Sequence, residues 1–471
     1  MKTIKYLVLG ALMMGSSAPM MAQDNKTVIA EISKVIKTHP ADLKDQVKDV
    51  YKKNKKNGEV LVGIGRAFYD VKDTVNANVY ADYGIKLKYA PAFVLKGDLK
   101  ALVGDGGGAV ELYDQAIYFD PKDPVPYYKY ASVYRKISPS QAVAKLEDLR
   151  AQRPDVAVDA MIGRIYYQSN DFDQAIAAFK KADLAKMEER DVRSFAMSYF
   201  LKQKYAESLE VAKAGLAISP RDAGYNRLAF FNCTDLGNFD EALKYADALF
   251  NKSDSANFTY YDYTYYGNAL SGAKRHDEAI AMYQKALQQE IDNTDKRAGV
   301  IKQLAEAYKE KDDYVNAIKT YDEYLGAVSQ PTATDYAGLA QLYIQYADTL
   351  SGAARTDNFK KAEEVYVKLQ EKFPTAEEYA TFMRARVNAY IDPETKDGLA
   401  KPLYEKVVSM IEPKAEKDKS DRARLIECYR YLGYYYLLNN DKEASKGFWA
   451  KIVELDPANQ MAKQALEQLS K

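Results

Sequence analysis

Two histidines and two cysteines are a small stock of reactive side chains for 471 residues. His39 precedes Pro40 in a turn, and His276 stands three residues before Ala279, where packing at a turn explains it. With these two far apart and no close cysteine pair, neither a zinc spacing nor a Ser/His/Asp set is present in the sequence. The acid pairs Glu188-Glu189, Glu363-Glu364 and Glu377-Glu378 read as solvated helix faces. Two carboxylates from different segments could hydrolyse a glycoside, but nothing in the sequence selects a pair. Gly104 to Gly108 (GDGGG) resembles a phosphate loop only loosely, without the Lys-Ser/Thr ending or a preceding strand. The sequence predicts no catalytic residue, no metal site and no cofactor. Its excess lies in aromatic contact chemistry: 40 tyrosines against one tryptophan. Tyrosine buries a large ring while keeping a polar tip, which suits helix interfaces and groove walls. The densest run is NFTYYDYTYYGNAL, Asn257 to Leu270.

The element that carries this run is set by its neighbours. A helix turns about 100° per residue. Tyr260, Tyr263, Tyr266 and Leu270 then share a side with the small Gly267, while Tyr261, Tyr265 and Asn268 fall roughly opposite. The run is therefore predicted as a helix and not a strand. Gly267 is followed by Ala279, Tyr283 and Ala286, a spacing shared by Gly163, Ala175, Phe179 and Ala182 and by Gly97, Ala109, Tyr113 and Ala116. Small residues recur at Ala77, Ala109, Ala142, Ala175, Ser208 and Ala242, in steps of 32 to 34 residues. They continue at Ala279, Ala317, Ala362, Ala400 and Ser445, in steps widening to 45. A period near 34 residues is the mark of stacked helix pairs. Pro121, Pro154, Pro220, Pro374 and Pro457 follow the second helices and stop them. Phe172, Tyr205, Phe239, Tyr314 and Phe359 fill the turn three residues ahead of the small slot.

This pattern resembles the tetratricopeptide repeat family from about Gly58 to the C-terminus, roughly eleven units. The family's usual tryptophan near the start of the first helix is absent; Tyr263 and Tyr127 hold such places. The expected fold is an all-α superhelix, a solenoid of helix pairs. The expected organisation is a cleaved signal peptide at 1–22, an N-terminal helical cap at 23–57, a regular array at 58–330 and units with longer turns at 331–471.

The resemblance implies that one side of each first helix lines a concave groove where partners lie. Carried along the units, that wall comprises Tyr128, Lys129, Arg135, Arg164, Tyr167, Arg190, Arg193, Arg227, Phe231, Tyr261, Tyr265 and Asn268, with Phe200 beside them. Aromatic and positive, it suits an extended or helical acidic segment. Equally, the arginines could pair with acids on adjacent helices. Some arrays of the family clamp a C-terminal carboxylate with Lys and Asn; Asn268 sits in such a place, but Thr264 replaces the lysine. The expected function is a non-enzymatic scaffold that binds proteins or peptides. The alternative is carbohydrate binding of the starch-utilisation type, with tyrosines stacked on sugar rings.

Composition narrows the setting. Lys plus Arg and Asp plus Glu are each 67, so no general charge favours nucleic acid. Lys2 and Lys5, the apolar Tyr6 to Met14 and a small-residue exit ending at Ala22 read as a secretory signal. No cysteine stands at the cleavage point for a lipid anchor, so the expected location is periplasmic or secreted. No later stretch is apolar enough to cross a bilayer. Cys233 and Cys428 could form a disulfide in an exported protein, or remain buried thiols. Oligomeric state leaves no trace in the sequence.

Overall fold

The computed structural model describes residues 24–470, and the secretory signal expected at 1–22 lies outside them. Every described element is a helix, α or short 3-10, and no strand occurs among the described residues. The helices follow one another in antiparallel pairs, the fold class expected from the period. The chain divides into two compact units, one ending at Ile218 and the other beginning at Ser219.

The turn inside each pair has one design. The residue ending the first helix's turn adopts a left-handed conformation: Lys72, Gly104, Asn170, Gln203, Gly237, Lys274, Asp312 and Asn440. The next backbone N–H reaches back five residues, as Asp171 does to the Tyr166 carbonyl (3.0 Å) and Asp313 to the Tyr308 carbonyl (2.9 Å). This closes the helix end by satisfying a carbonyl that would otherwise be orphaned. Asp73, Asp105, Asp171, Asp313 and Asp441 then cap the second helix with their carboxylates. Asp105 accepts from the Gly108 N–H at 2.9 Å, so the glycine-rich stretch is this turn and the first turn of helix Gly106–Phe119.

The small slots are close contacts. Ala77, Ala109, Ala142, Ala175, Ala242, Ala279, Ala317, Ala362 and Ala400 are fully buried. A Cβ added to Gly267 would lie 2.5 Å from the Tyr283 ring, and one added to Gly163 2.7 Å from the Phe179 ring. Where serine fills the slot it also bonds across the pair: Ser208 Oγ donates to the Ala196 carbonyl (2.9 Å) and Ser445 Oγ to the Gly433 carbonyl (2.8 Å). Each proline expected to end a second helix lies two residues past it: the helices end at Phe119, Gln152, Ile218, Lys372 and Leu455. Phe172, Tyr205, Phe239, His276 and Tyr314 each begin a second helix. Phe359 differs: it lies inside the long helix Gly352–Lys372 and is buried there. Extra length also goes into helix Lys419–Leu438 and the connection at 392–400.

Cys428 is a buried free thiol, and burial pushes its pKa up. Cys233 is also buried. No helix of the described residues is long and apolar enough to cross a membrane.

Candidate functional site

Along part of each unit the first helices of successive pairs touch one another. Gly58–Asp70 meets Ala90–Leu102, and Asp159–Gln168 meets Glu189–Leu201. In the second unit Ala223–Asp235 meets Tyr260–Gly272, which meets Thr294–Glu310. Second helices make no comparable approach to each other. Elements that approach on one side only make a stack that curves, so the first helices form the inner wall of each unit.

Along that wall runs a series of cations bonded to acids on a neighbouring first helix, all reaching forward to the next one except Lys129, which reaches back. In the first unit Arg66 and Lys129 both bond Asp98, which also accepts from the Tyr113 hydroxyl at 2.9 Å. Arg164 approaches Asp191, Nε to Oδ1 2.9 Å and Nη2 to Oδ2 3.3 Å. In the second unit Arg227 bonds Asp262 at 2.5 Å and the Asn257 carbonyl at 2.7 Å. Lys302 bonds Asp335 at 2.8 Å, and Arg386 forks onto Glu427 at 2.7 and 2.5 Å. Asp98, Asp191, Asp262 and Asp335 are all buried. An isolated buried carboxylate is costly, and a cation with further hydrogen bonds offsets that cost.

The acids sit where helices favour them. Asp262 and Asp335 are the third residues of their helices, in capping boxes with Thr259 and Thr332. Asp191 holds the same position but has no side-chain cap as partner. The consequence is visible in their acidities. For Asp335 burial acts upward, but Lys302, the Thr332 N–H and hydroxyl, and Tyr324 together hold the carboxyl well below the usual range. For Asp191 burial prevails, pushing the carboxyl up despite Arg164. Burial likewise lowers Arg164, and the like charges of Arg190 and Arg135 add to the effect.

The wall residues expected from the sequence fall into two groups. In the first unit Lys129 and Arg164 belong to the ion-pair series. Arg135 is half-buried near Arg164. Arg190 is 61% exposed, 2.5 Å from Glu188, and Arg193 is 43% exposed, 3.4 Å from Glu189. Tyr128 and Tyr167 are partly buried, and burial pushes both hydroxyls up; Tyr167 also lies 6.0 Å from the Phe172 ring. In the second unit Arg227 belongs to the series. Phe231 is buried beneath Tyr265, the two rings stacked at 3.9 Å. The Tyr265 hydroxyl donates to Asp235 at 3.1 Å. Asn268 accepts from the Tyr283 hydroxyl at 2.7 Å and so braces the pair from within. Tyr261 stands out at 46% exposed, its ring 4.1 Å from Tyr260.

The acids of this series went unassigned in the sequence. Their local signal was present: Thr259 before Asp262 and Thr332 before Asp335 are capping-box spacings. Each partner lies about one repeat away, upstream in every case but Lys129, a separation that no local window sees. His276 is half-buried at its helix start, with Nδ1 buried and unpartnered. No group of His, Cys, Asp and Glu among the described residues could hold a metal ion.

Residues 160–186, covering helix Phe172–Phe179 and most of its partner, match the family model described as Tetratricopeptide repeat. No curated protein matches the chain. Among solved structures, the C-terminal part of a TPR repeat-containing protein from Cytophaga hutchinsonii is 27% identical, covering 58% of this chain and 99% of that one, with a TM-score of 0.48. A tetratricopeptide repeat protein from Parabacteroides merdae is 17% identical over 53% of this chain and 98% of that one, with a TM-score of 0.34. PilW, a type IV pilus biogenesis factor, is 14% identical over 42% of this chain and 91% of that one, with a TM-score of 0.33.

Proposed function

The chain is a tetratricopeptide-repeat protein, and we propose that it is a non-enzymatic scaffold of the cell envelope that docks proteins or peptides on the inner wall of its first helices. One observation carries this reading. The inner wall has a frame of buried, internally paired charges, and rings and cations stand on that frame at the surface. A frame of this kind holds contact residues in place before a partner arrives, which reduces the ordering cost of binding. Tyr261 supplies an exposed ring, and Arg190 and Arg193 supply exposed guanidinium groups. Their pairs with Glu188 and Glu189 are exposed, and such pairs contribute about 0–1 kcal/mol, so an acidic partner can displace them.

Lys129, Arg164 and Arg227 serve the frame, so the acidic-segment reading rests on Arg190, Arg193 and Arg135. The envelope location is supported by the charge and apolar pattern of residues 1–22. The test is to crosslink the tagged mature protein in its native envelope and identify what is captured. The same capture is then repeated with Arg190→Glu and Arg193→Glu, leaving Arg227 intact. Loss of captured protein and a steep salt dependence are expected. Capture that is indifferent to both would remove the acidic segment, and no capture at all would remove the scaffold.

A further inference from the structure

The only tryptophan of the chain, Trp449, lines a cleft of about 560 Å³ in the second unit. The cleft lies among first helices Glu377–Ile391 and Lys419–Leu438 and the last helix, Gln460–Leu469, which contributes Met461. Its size falls within the range of ordinary ligand pockets, roughly 300–1,000 Å³.

The charges of the cleft are unevenly matched. Arg386 and Glu427 fork onto each other, and the buried Tyr404 hydroxyl donates to the same Glu427 at 3.2 Å. These groups satisfy one another. Arg430 also lines the cleft, is exposed, and makes no ion pair among the described residues. The cleft therefore carries one unmatched positive charge. Its other exposed lining is apolar and aromatic: Tyr390 and Tyr434 each leave nearly half their surface open, and Met461 more than half. Trp449 is more than nine-tenths buried, and its indole N–H has no hydrogen-bond partner. Two open rings and an unpaired guanidinium in one concavity are recognition chemistry without a recognised group. Rings take up flat or apolar side chains, and a guanidinium takes up a carboxylate.

We propose that this cleft anchors an internal segment of a partner protein in which an acidic residue adjoins a large apolar or aromatic one. The carboxylate pairs with Arg430 and the apolar side chain packs against Tyr390 and Tyr434. This rests on the scaffold reading and adds to it a place and a chemistry. One unmatched cation, Arg430, is too little for nucleic acid, where several phosphates must be matched.

Trp449 makes the cleft its own reporter, since no other tryptophan emits. The probe is a nine-residue peptide with both ends blocked, carrying Phe-Glu at its centre between Gly and Ser residues. Added to the full mature chain, it is expected to change tryptophan emission saturably. The Phe-Gln peptide, and the Phe-Glu peptide with the Arg430→Ala protein, are each expected to bind at least tenfold more weakly. Emission that is unmoved, or that responds equally to the Gln peptide and the variant, overturns the proposal. A response to a neutral oligosaccharide and not to the peptide overturns it in favour of a sugar site. Envelope capture by wild type that Arg430→Ala leaves unchanged overturns the cleft as anchor while the scaffold stands. Absence of capture with a normal peptide response removes the scaffold while the cleft stands.

Discussion

Asp191 and Asp335 occupy the same place in two different units, the third residue of a first helix, and both are buried. Their surroundings differ. Asp335 receives Lys302, the Tyr324 hydroxyl, and both the N–H and the hydroxyl of Thr332. Asp191 has Arg164 alone, and its Oδ1 and the Arg164 Nε are buried without a well-aligned hydrogen bond. Proximity of opposite charge is thus not enough; a buried acid needs donors for each lone pair before the interior tolerates it. One node locks its unit, while the other is a weak link beside the exposed Arg190 and Arg193.

The largest expected effect is at the well-satisfied node. Asp335→Asn should lower stability by about 1.5–3 kcal/mol, the range for hydrogen bonds to charged groups, measured by urea unfolding at neutral pH. Asp191→Asn should fall within about 1 kcal/mol of wild type in either direction, because it removes a desolvated charge with only one partner. Equal losses at both sites would break the comparison.

The pH dependence sharpens it, because the two signs are opposite. The folded pKa of Asp335 is held low, so the unfolded chain takes up its proton first. Its stabilisation is complete above the unfolded value of about 3.9 and is lost as pH falls through the folded one. The folded pKa of Asp191 is raised, so the native state takes up its proton first. Its burden is felt above the raised value and is relieved as pH falls from there toward about 3.9. Between neutral pH and pH about 4, wild type should therefore gain on Asp191→Asn. Below about 4 its advantage over Asp335→Asn should shrink. Unfolding midpoints of the three proteins at stepped pH check both signs.

The smallest effect on stability is expected at the surface. Arg190→Glu with Arg193→Glu should shift unfolding by only about 0.5 kcal/mol per site, yet abolish capture of an acidic partner. A large stability loss would mean that these residues belong to the frame after all.

What the sequence made legible follows from local chemistry. Small slots at Gly163 and Ala175, stopping prolines and aromatic helix starts at Phe172 and Tyr205 are each visible within one repeat. The tyrosine run was legible for the same reason: Gly267 phases helix Tyr260–Gly272, with Tyr260 buried and Tyr261 open. The site was less legible. Arg227 reads as a free groove cation until Asp262, a full repeat away, is placed against it. Phe231 reads as groove surface until Tyr265 covers it. The aromatic cleft near Trp449 escaped because the long helices Gly352–Lys372 and Lys419–Leu438 break the 34-residue phase that located the earlier wall.

The inner wall as docking face is tested most directly by a photo-crosslinking residue at one position at a time. Tyr261 lies open on a first helix, and Val315 lies open on a second helix of the same unit. In the native envelope, the same partner protein should be captured from position 261 and not from 315. Capture from 315 with none from 261 would contradict the account.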